Sequence, residues 1–304
     1  MDSPMTLSTF VISITPFDAD GRFDEAAFRS HLDRMADAGI GVYLGGGGSG
    51  EGFTLSNDEA RRVLEIGVDQ IGGRVPVRAM GIEPRTAQEM ADYLSMATDA
   101  GVEAAQVYSL DPGHGHRPSP AEVESYLSEV LASTALPCVV SSHMSVGYRL
   151  SPSMLQSLAD NFDHLVGVNC SHPDLAPLIS LVETVGDRLE IHVGGPAQAL
   201  SALALGATGF LSSEGNLAPK TCAALIEGAR TKNFDTSTTA FSQIARLSSL
   251  LYRLGGIRAT KGVMRSLELP AGFVRSPQID ADETAVSKVL EFLNSSGIAS
   301  TEGW

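Results

Sequence analysis

The first feature able to do chemistry is the run GGGGSGE at positions 45–51. Consecutive glycines let a backbone turn tightly, and their N–H groups can converge on an anion such as a carboxylate. Gly48 and Ser49 are the expected donors, the Ser49 hydroxyl adds another, and Glu51 closes the run. A flexible turn is the plain alternative. Histidines supply the second feature. His114, His116, His143 and His172 stand with Cys170 and Asp111 in segments that read as loops. Such a set could furnish divalent-metal ligands or a general acid–base pair, with His143 and then His172 as the proton movers. No HExxH motif or metal-spaced cysteine cluster accompanies them, so no metal site is assigned and no cofactor is expected. A polar loop lining a pocket is the bland reading. His31 and His164 fall on helical segments and read as surface, whereas His192 reads as core.

These residues need elements to position them. Apolar runs at 10–15, 42–45, 75–80, 104–108, 138–142, 165–169, 189–193 and 209–212 read as eight strands buried on both faces. Amphipathic segments separate them and carry start signals. Ser56 precedes Glu59, Thr86 precedes Glu89, and Ser119 precedes Glu122, each at capping-box spacing. Pro120 and Pro152 follow serines at first-turn positions, and Gly39 and Gly101 stand where helices should stop. Phe28, Leu32 and Met35 make one apolar stripe on the first helix. Eight strand–helix alternations without a linker predict an α/β fold, a (β/α)8 TIM barrel. An open doubly wound sheet is the runner-up, but no GxGxxG follows the first strand. Beyond 235 the pattern is helical only, so residues 1–235 form the barrel and 236–304 a helical extension packed on it, one domain together. Active sites of such barrels lie at the C-terminal ends of the strands. That rule selects 15–16, 46–51, the His114/His116 loop, 141–143, 169–172, 194–195 and 213–216.

The 304 residues carry a net charge of −15, which argues against broad attraction to nucleic acid or an anionic membrane. Cys138, Cys170 and Cys222 form no disulfide framework and read as reduced thiols. No secretory leader and no membrane-length apolar run stand out, so a cytoplasmic location is the expectation.

Several segments carry a family likeness. TPFDADGRFD (15–24), GGSGEGFTLSNDE (47–59), LPCVV (136–140), the strand at 165–169, GATGFLSSEGNLAP (206–219) and VRSP (274–277) occur in order along the chain. Together they resemble the dihydrodipicolinate synthase/N-acetylneuraminate lyase family. The resemblance implies a barrel lyase acting on a small carboxylate, with a homo-oligomeric habit, tetramer or dimer.

It also implies departures. The family forms an imine between a 2-oxo acid and a lysine ending strand six, where this chain reads GVNCSHP (167–173) and places Asn169. An amide nitrogen is not nucleophilic and cannot form that bond. The family's relay tyrosine falls on Ser141, its paired threonines on Gly48 and Ser49, a further tyrosine near Asp111-Pro112, and an arginine on Val146 with Arg149 close by. Of the four lysines, Lys261 matches a structural lysine of the tail, while Lys220, Lys232 and Lys288 lie elsewhere. The resulting expectation is a divergent lyase working on a small 2-oxo or hydroxy acid without an imine. Asn169, Ser141, His143 and His172 are its catalytic candidates, and Gly48, Ser49, Glu51, Tyr108 and Leu211 its substrate contacts. Gly48, Ser49 and the Asn169 amide would hold the carboxylate or a developing enolate. A catalytically inactive relative that binds a small carboxylate, or a structural or regulatory subunit, is the alternative.

Overall fold

Side-chain caps start the helices where the sequence predicts them. Ser56 and Ser119 each accept from the N–H three residues on, and Glu59 and Glu122 reach back to close both capping boxes. Thr86 accepts from Glu89 N–H, but the Glu89 carboxylate takes the Arg85 N–H instead, so this cap is one-sided. Phe28, Leu32 and Met35 are fully buried, as their spacing requires.

The structure, a computed structural model, describes residues 6–143, 146–171 and 174–304. Its strands are β1 Ser8–Ile12, β2 Gly41–Leu44, β3 Val77–Ala79, β4 Ala104–Val107, β5 Cys138–His143, β6 Leu165–Ser171, β7 Glu190–Gly194 and β8 Gly209–Ser212. All pairs are parallel, and β8 returns to β1 to close the barrel. Between them run α1 Glu25–Asp37, α2 Asn57–Ile71, α3 Ala87–Ala100, α4 Pro120–Ala132, α5 Pro152–Asn161, α6 Leu175–Val185 and α7 Ala199–Leu205. After β8 come α8 Pro219–Arg230, α9 Phe234–Arg253, α10 Ile257–Ser266, α11 Glu283–Ser296 and α12 Ile298–Glu302. The chain is thus a (β/α)8 TIM barrel with added C-terminal helices.

The first strand is shifted from its expected place. Ser8 N–H already pairs with Thr208, whereas Ile14 N–H leaves the ladder to bond the Asn216 side chain. β5 and β6 extend further than expected, which carries His143 and Ser171 up to the rim.

Residues facing the helices, such as Val42, Val107, Val140, Val168 and Val193, are apolar and buried. The barrel interior is buried too but carries polar and charged side chains. Arg78 pairs with Glu190 at 2.8 Å, its guanidinium lies 4.2 Å from the Phe10 ring centroid, and its Nη1 stands 3.4 Å from Tyr43 Oη. His192 bonds the Ser8 hydroxyl at 2.8 Å through Nε2, and burial pulls the imidazole down to about 4, so it is neutral at pH 7.

Candidate active site

Close backbone contacts explain the glycine run after β2. A Cβ at Gly52 would stand 2.1 Å from the Gly45 carbonyl oxygen, and one at Gly50 would stand 2.8 Å from Gly46 backbone atoms. Those two glycines permit the tight coil. Gly48 differs: a Cβ there meets nothing within 4 Å, and its φ is not positive. The space above Gly48 is open, and among the described residues no backbone acceptor takes the N–H of Gly48 or Ser49.

The Ser49 hydroxyl is turned to Ser213 Oγ at 2.7 Å, so Ser213, exposed at the end of β8, extends the donor set. Sequence reasoning had placed Ser213 on the functional face without singling it out.

Glu51 turns away from the mouth. It is fully buried, adopts a left-handed backbone conformation (φ 52°), and pairs with Lys261. Its other oxygen accepts from Arg275 N–H at 3.0 Å and Gln278 Nε2 at 2.9 Å. With both oxygens occupied and no exposure, Glu51 ties the loop to the C-terminal extension and presents no open oxygen to the mouth. Lys261 Nζ also donates to the carbonyls of Thr15 and Phe273, each at 2.8 Å. Burial pulls its ammonium down to about 8, against the pull of Glu51. All three of its protons are used. Lys220 bonds the Glu302 carbonyl at 2.7 Å, and Lys232 and Lys288 are exposed on the outside of the molecule. Among the described residues, no lysine lines the cavity beside Gly48 and Glu83.

Asn169 lies near the end of β6. Its Nδ2 donates across the barrel to Gln106 Oε1 at 2.5 Å, so the amide hydrogens expected to hold a carboxylate are directed inward. Ser141 pairs with it in register on β5 and is buried, with its carbonyl accepting from Ser109 Oγ. Tyr108 and Leu211 are buried in the upper wall, and Leu211 pairs with Gly194. Cys170 alternates away from Asn169 and packs in the core against the helices. His172 lies outside the described residues.

His143 ends β5 at the rim. Glu83, in the loop after β3, places Oε1 3.3 Å from His143 Nε2, and the imidazole holds that carboxyl below the usual carboxylate range. The Tyr108 ring meets His143 edge-on at 5.9 Å. Glu83 was not among the sequence candidates, because the loop after the third strand carried no recognised motif. Its signal was a carboxylate at the C-terminal end of a strand. A cavity of about 360 Å³ opens here, bounded by Gly47, Gly48, Glu83, Arg85, Tyr108 and Asp111. A larger one, about 500 Å³, lies beside it between α2 and α3, away from Asn169 and His143. His114 and His116 are exposed in the loop after β4, and no metal-ligating cluster forms among the described residues. His31 corrects its surface reading: it is fully buried, its Nε2 is 3.0 Å from Asn216 Oδ1, and burial pulls it down to about 3.

The model of the Dihydrodipicolinate synthetase family matches residues 5–296. The chain belongs to that family. Among similar relatives, the 4-hydroxy-tetrahydrodipicolinate synthase of Mesorhizobium japonicum is 26% identical over 287 residues, 94% of this chain and 96% of the relative. That of Methanosphaera stadtmanae is 25% identical over 292 residues, covering 93% and 97%. A monomeric dihydrodipicolinate synthase variant shares the fold with TM-score 0.89 at 18% identity, over 97% of this chain and 98% of that one. YagE of E. coli K12, solved in complex with pyruvate, gives 0.88 at 22%, over 96% and 99%. Family members thus resemble this chain along nearly its whole length.

Proposed function

We propose that this family member is a lyase acting on a small 2-oxo or hydroxy acid by acid–base chemistry, without a lysine imine. The observation that carries the reading is the Glu83–His143 pair, with Glu83 lining the same cavity as Gly48, whose Cβ position is open. Gly48, Ser49 and Ser213 supply donors for a carboxylate or a developing enolate, fixed before the reaction begins. In a dehydration step on a 2,3-dihydroxy acid, His143 takes the proton from C2 while the bond between C3 and its hydroxyl breaks, and that proton leaves with the hydroxyl as water. The enol left behind tautomerises to the 2-oxo acid. Glu83 orients the imidazole and balances its charge. The likeness to 4-hydroxy-tetrahydrodipicolinate synthases and to pyruvate-bound YagE supports a small carboxylate, and the cavity beside Glu83 is open with Phe53 half-exposed at its edge.

The test is a panel of 2-oxo acids, aldol adducts and hydroxy acids, with and without divalent metals, scored for C–C cleavage or loss of water. Turnover that falls 100-fold or more in His143→Ala supports the reading, since positioned proton transfer is worth about 10²–10⁴. Carboxylate binding without turnover on any member of the panel would move the chain to a ligand-binding role. We further propose a cytoplasmic homo-oligomer, which size-exclusion chromatography with light scattering tests.

A further inference from the structure

The floor of the mouth is braced from below by charged and polar side chains. Arg78, paired with Glu190, presents Nη1 toward Tyr43 Oη at 3.4 Å. A guanidinium has donors only, so the tyrosine oxygen accepts on that side. The Tyr43 hydroxyl also stands within hydrogen-bond reach of Asn169. Gln106, which accepts from Asn169 Nδ2, lies beside the Tyr108 hydroxyl, and Gly47 N–H reaches the same hydroxyl. Arg78, Glu190, Tyr43, Asn169, Gln106 and Tyr108 therefore form one network, and it takes up the hydrogens of the Asn169 amide. The other end of that amide is left over. Asn169 is 3% exposed, and its Oδ1 has no hydrogen-bond partner among the described residues.

A buried acceptor left without a donor is costly, and a ligand that supplies the donor recovers that cost. We propose that Asn169 Oδ1 receives a ligand hydroxyl, so that the mouth takes a 2-hydroxy acid in preference to the matching 2-oxo acid. Arg78 and Tyr43 act as positioning residues by holding the amide in this orientation. The inference rests on the reading of the mouth as a carboxylate site. In this proposal the carboxylate sits on the Gly48–Ser49 donors and the substituent on the next carbon is set against Asn169 Oδ1. A hydroxyl there donates, whereas a keto oxygen sets lone pair against lone pair.

The experiment is calorimetric titration of the full chain with two matched pairs, L- or D-lactate against pyruvate and glycolate against glyoxylate. One lactate enantiomer and glycolate should bind about tenfold or more tighter than their oxo partners, the range set by an unfilled buried acceptor. Asn169→Leu should bring the ratio to near one while carboxylate binding stays measurable, and Arg78→Met should reduce it part-way. The wild-type ratio is decisive even where a variant fails to fold. Equal or tighter binding of the oxo acids, still weakened by Ser49→Ala, would overturn the hydroxyl preference and leave the carboxylate site standing. No binding by either pair removes both.

Discussion

Replacing Lys261 by methionine separates a lysine that builds the molecule from one that performs chemistry. The side chain is fully buried against Glu51, which is also fully buried. Methionine preserves the stem but removes every donor. Breaking a buried pair from one side costs about 3–5 kcal/mol, because the surviving charge is stranded. Glu51 keeps its bonds from Arg275 N–H and Gln278, which softens the loss, while the carbonyls of Thr15 and Phe273 each lose a donor. We therefore expect a net loss of about 4 kcal/mol. With a denaturant slope of about 3 kcal/mol/M, the urea midpoint falls by about 1.3 M at fixed protein concentration. Adding Glu51→Gln should recover about half of the loss, since the stranded charge is then gone. Borohydride reduction in the presence of pyruvate, read by intact mass, is the chemical arm, and the wild type should gain no adduct. The reasoning fails if Lys261→Met unfolds within about 1 kcal/mol of wild type, or if a reduced adduct maps to Lys261 or Lys220.

Gly48 and Gly52 should part company under the same change. Gly52→Ala drives a methyl group into the Gly45 carbonyl and should lower stability by several kcal/mol, whereas Gly48→Ala should melt near wild type, and Gly48→Val should fold yet lose small-acid binding, all readable by thermal melts and calorimetry. Asn169→Lys alone should not produce aldol turnover with pyruvate and an aldehyde, because the new amine would lie against Gln106 and Ser141 and beside a Tyr43 hydroxyl whose burial makes it hold its proton, and robust cleavage by that variant would show the remaining site to be complete. Glu59, held at about 2 chiefly by Arg275, binds its proton less readily in the folded state than its ordinary value of 4.5 implies. Its contribution is therefore present above about 4.5 and lost as pH falls toward about 2, so Arg275→Met should raise the acid-unfolding midpoint and cost roughly 1 kcal/mol at pH 7, in an acid titration followed by circular dichroism.

The barrel was legible because its signals are local. Alternating apolar runs mark the strands, and Ser56, Ser119 and their glutamates mark helix starts within four residues. What escaped depends on distance. Glu51 sits in a loop that reads as ligand-binding, and only the fold brings Lys261 to it, 210 residues further along the chain. Arg78 and Glu190 lie in separate strand segments, and neither announces the other; the clue was a single charge at an inward phase of each. His31 shares a helical stripe with Leu32 and Met35, yet its partner Asn216 comes from the far end of the barrel sequence. Asn169 was legible as a position, but the direction of its amide was not, since Gln106 and Tyr43 set it from other strands.

The link from Glu51 to Lys261, Arg275 and Gln278 has a consequence for anyone who edits this chain. The loop from Gly45 to Glu51, proposed to meet the carboxylate, is fastened by three residues beyond position 255, and Phe17 pairs with Phe273 beside them. Truncation after the eight strand–helix units, near Arg230, would keep every strand and still uncouple the entrance from its anchor. New termini and fused partners belong instead on the turn at Lys232, which is exposed and takes no part in those anchoring bonds.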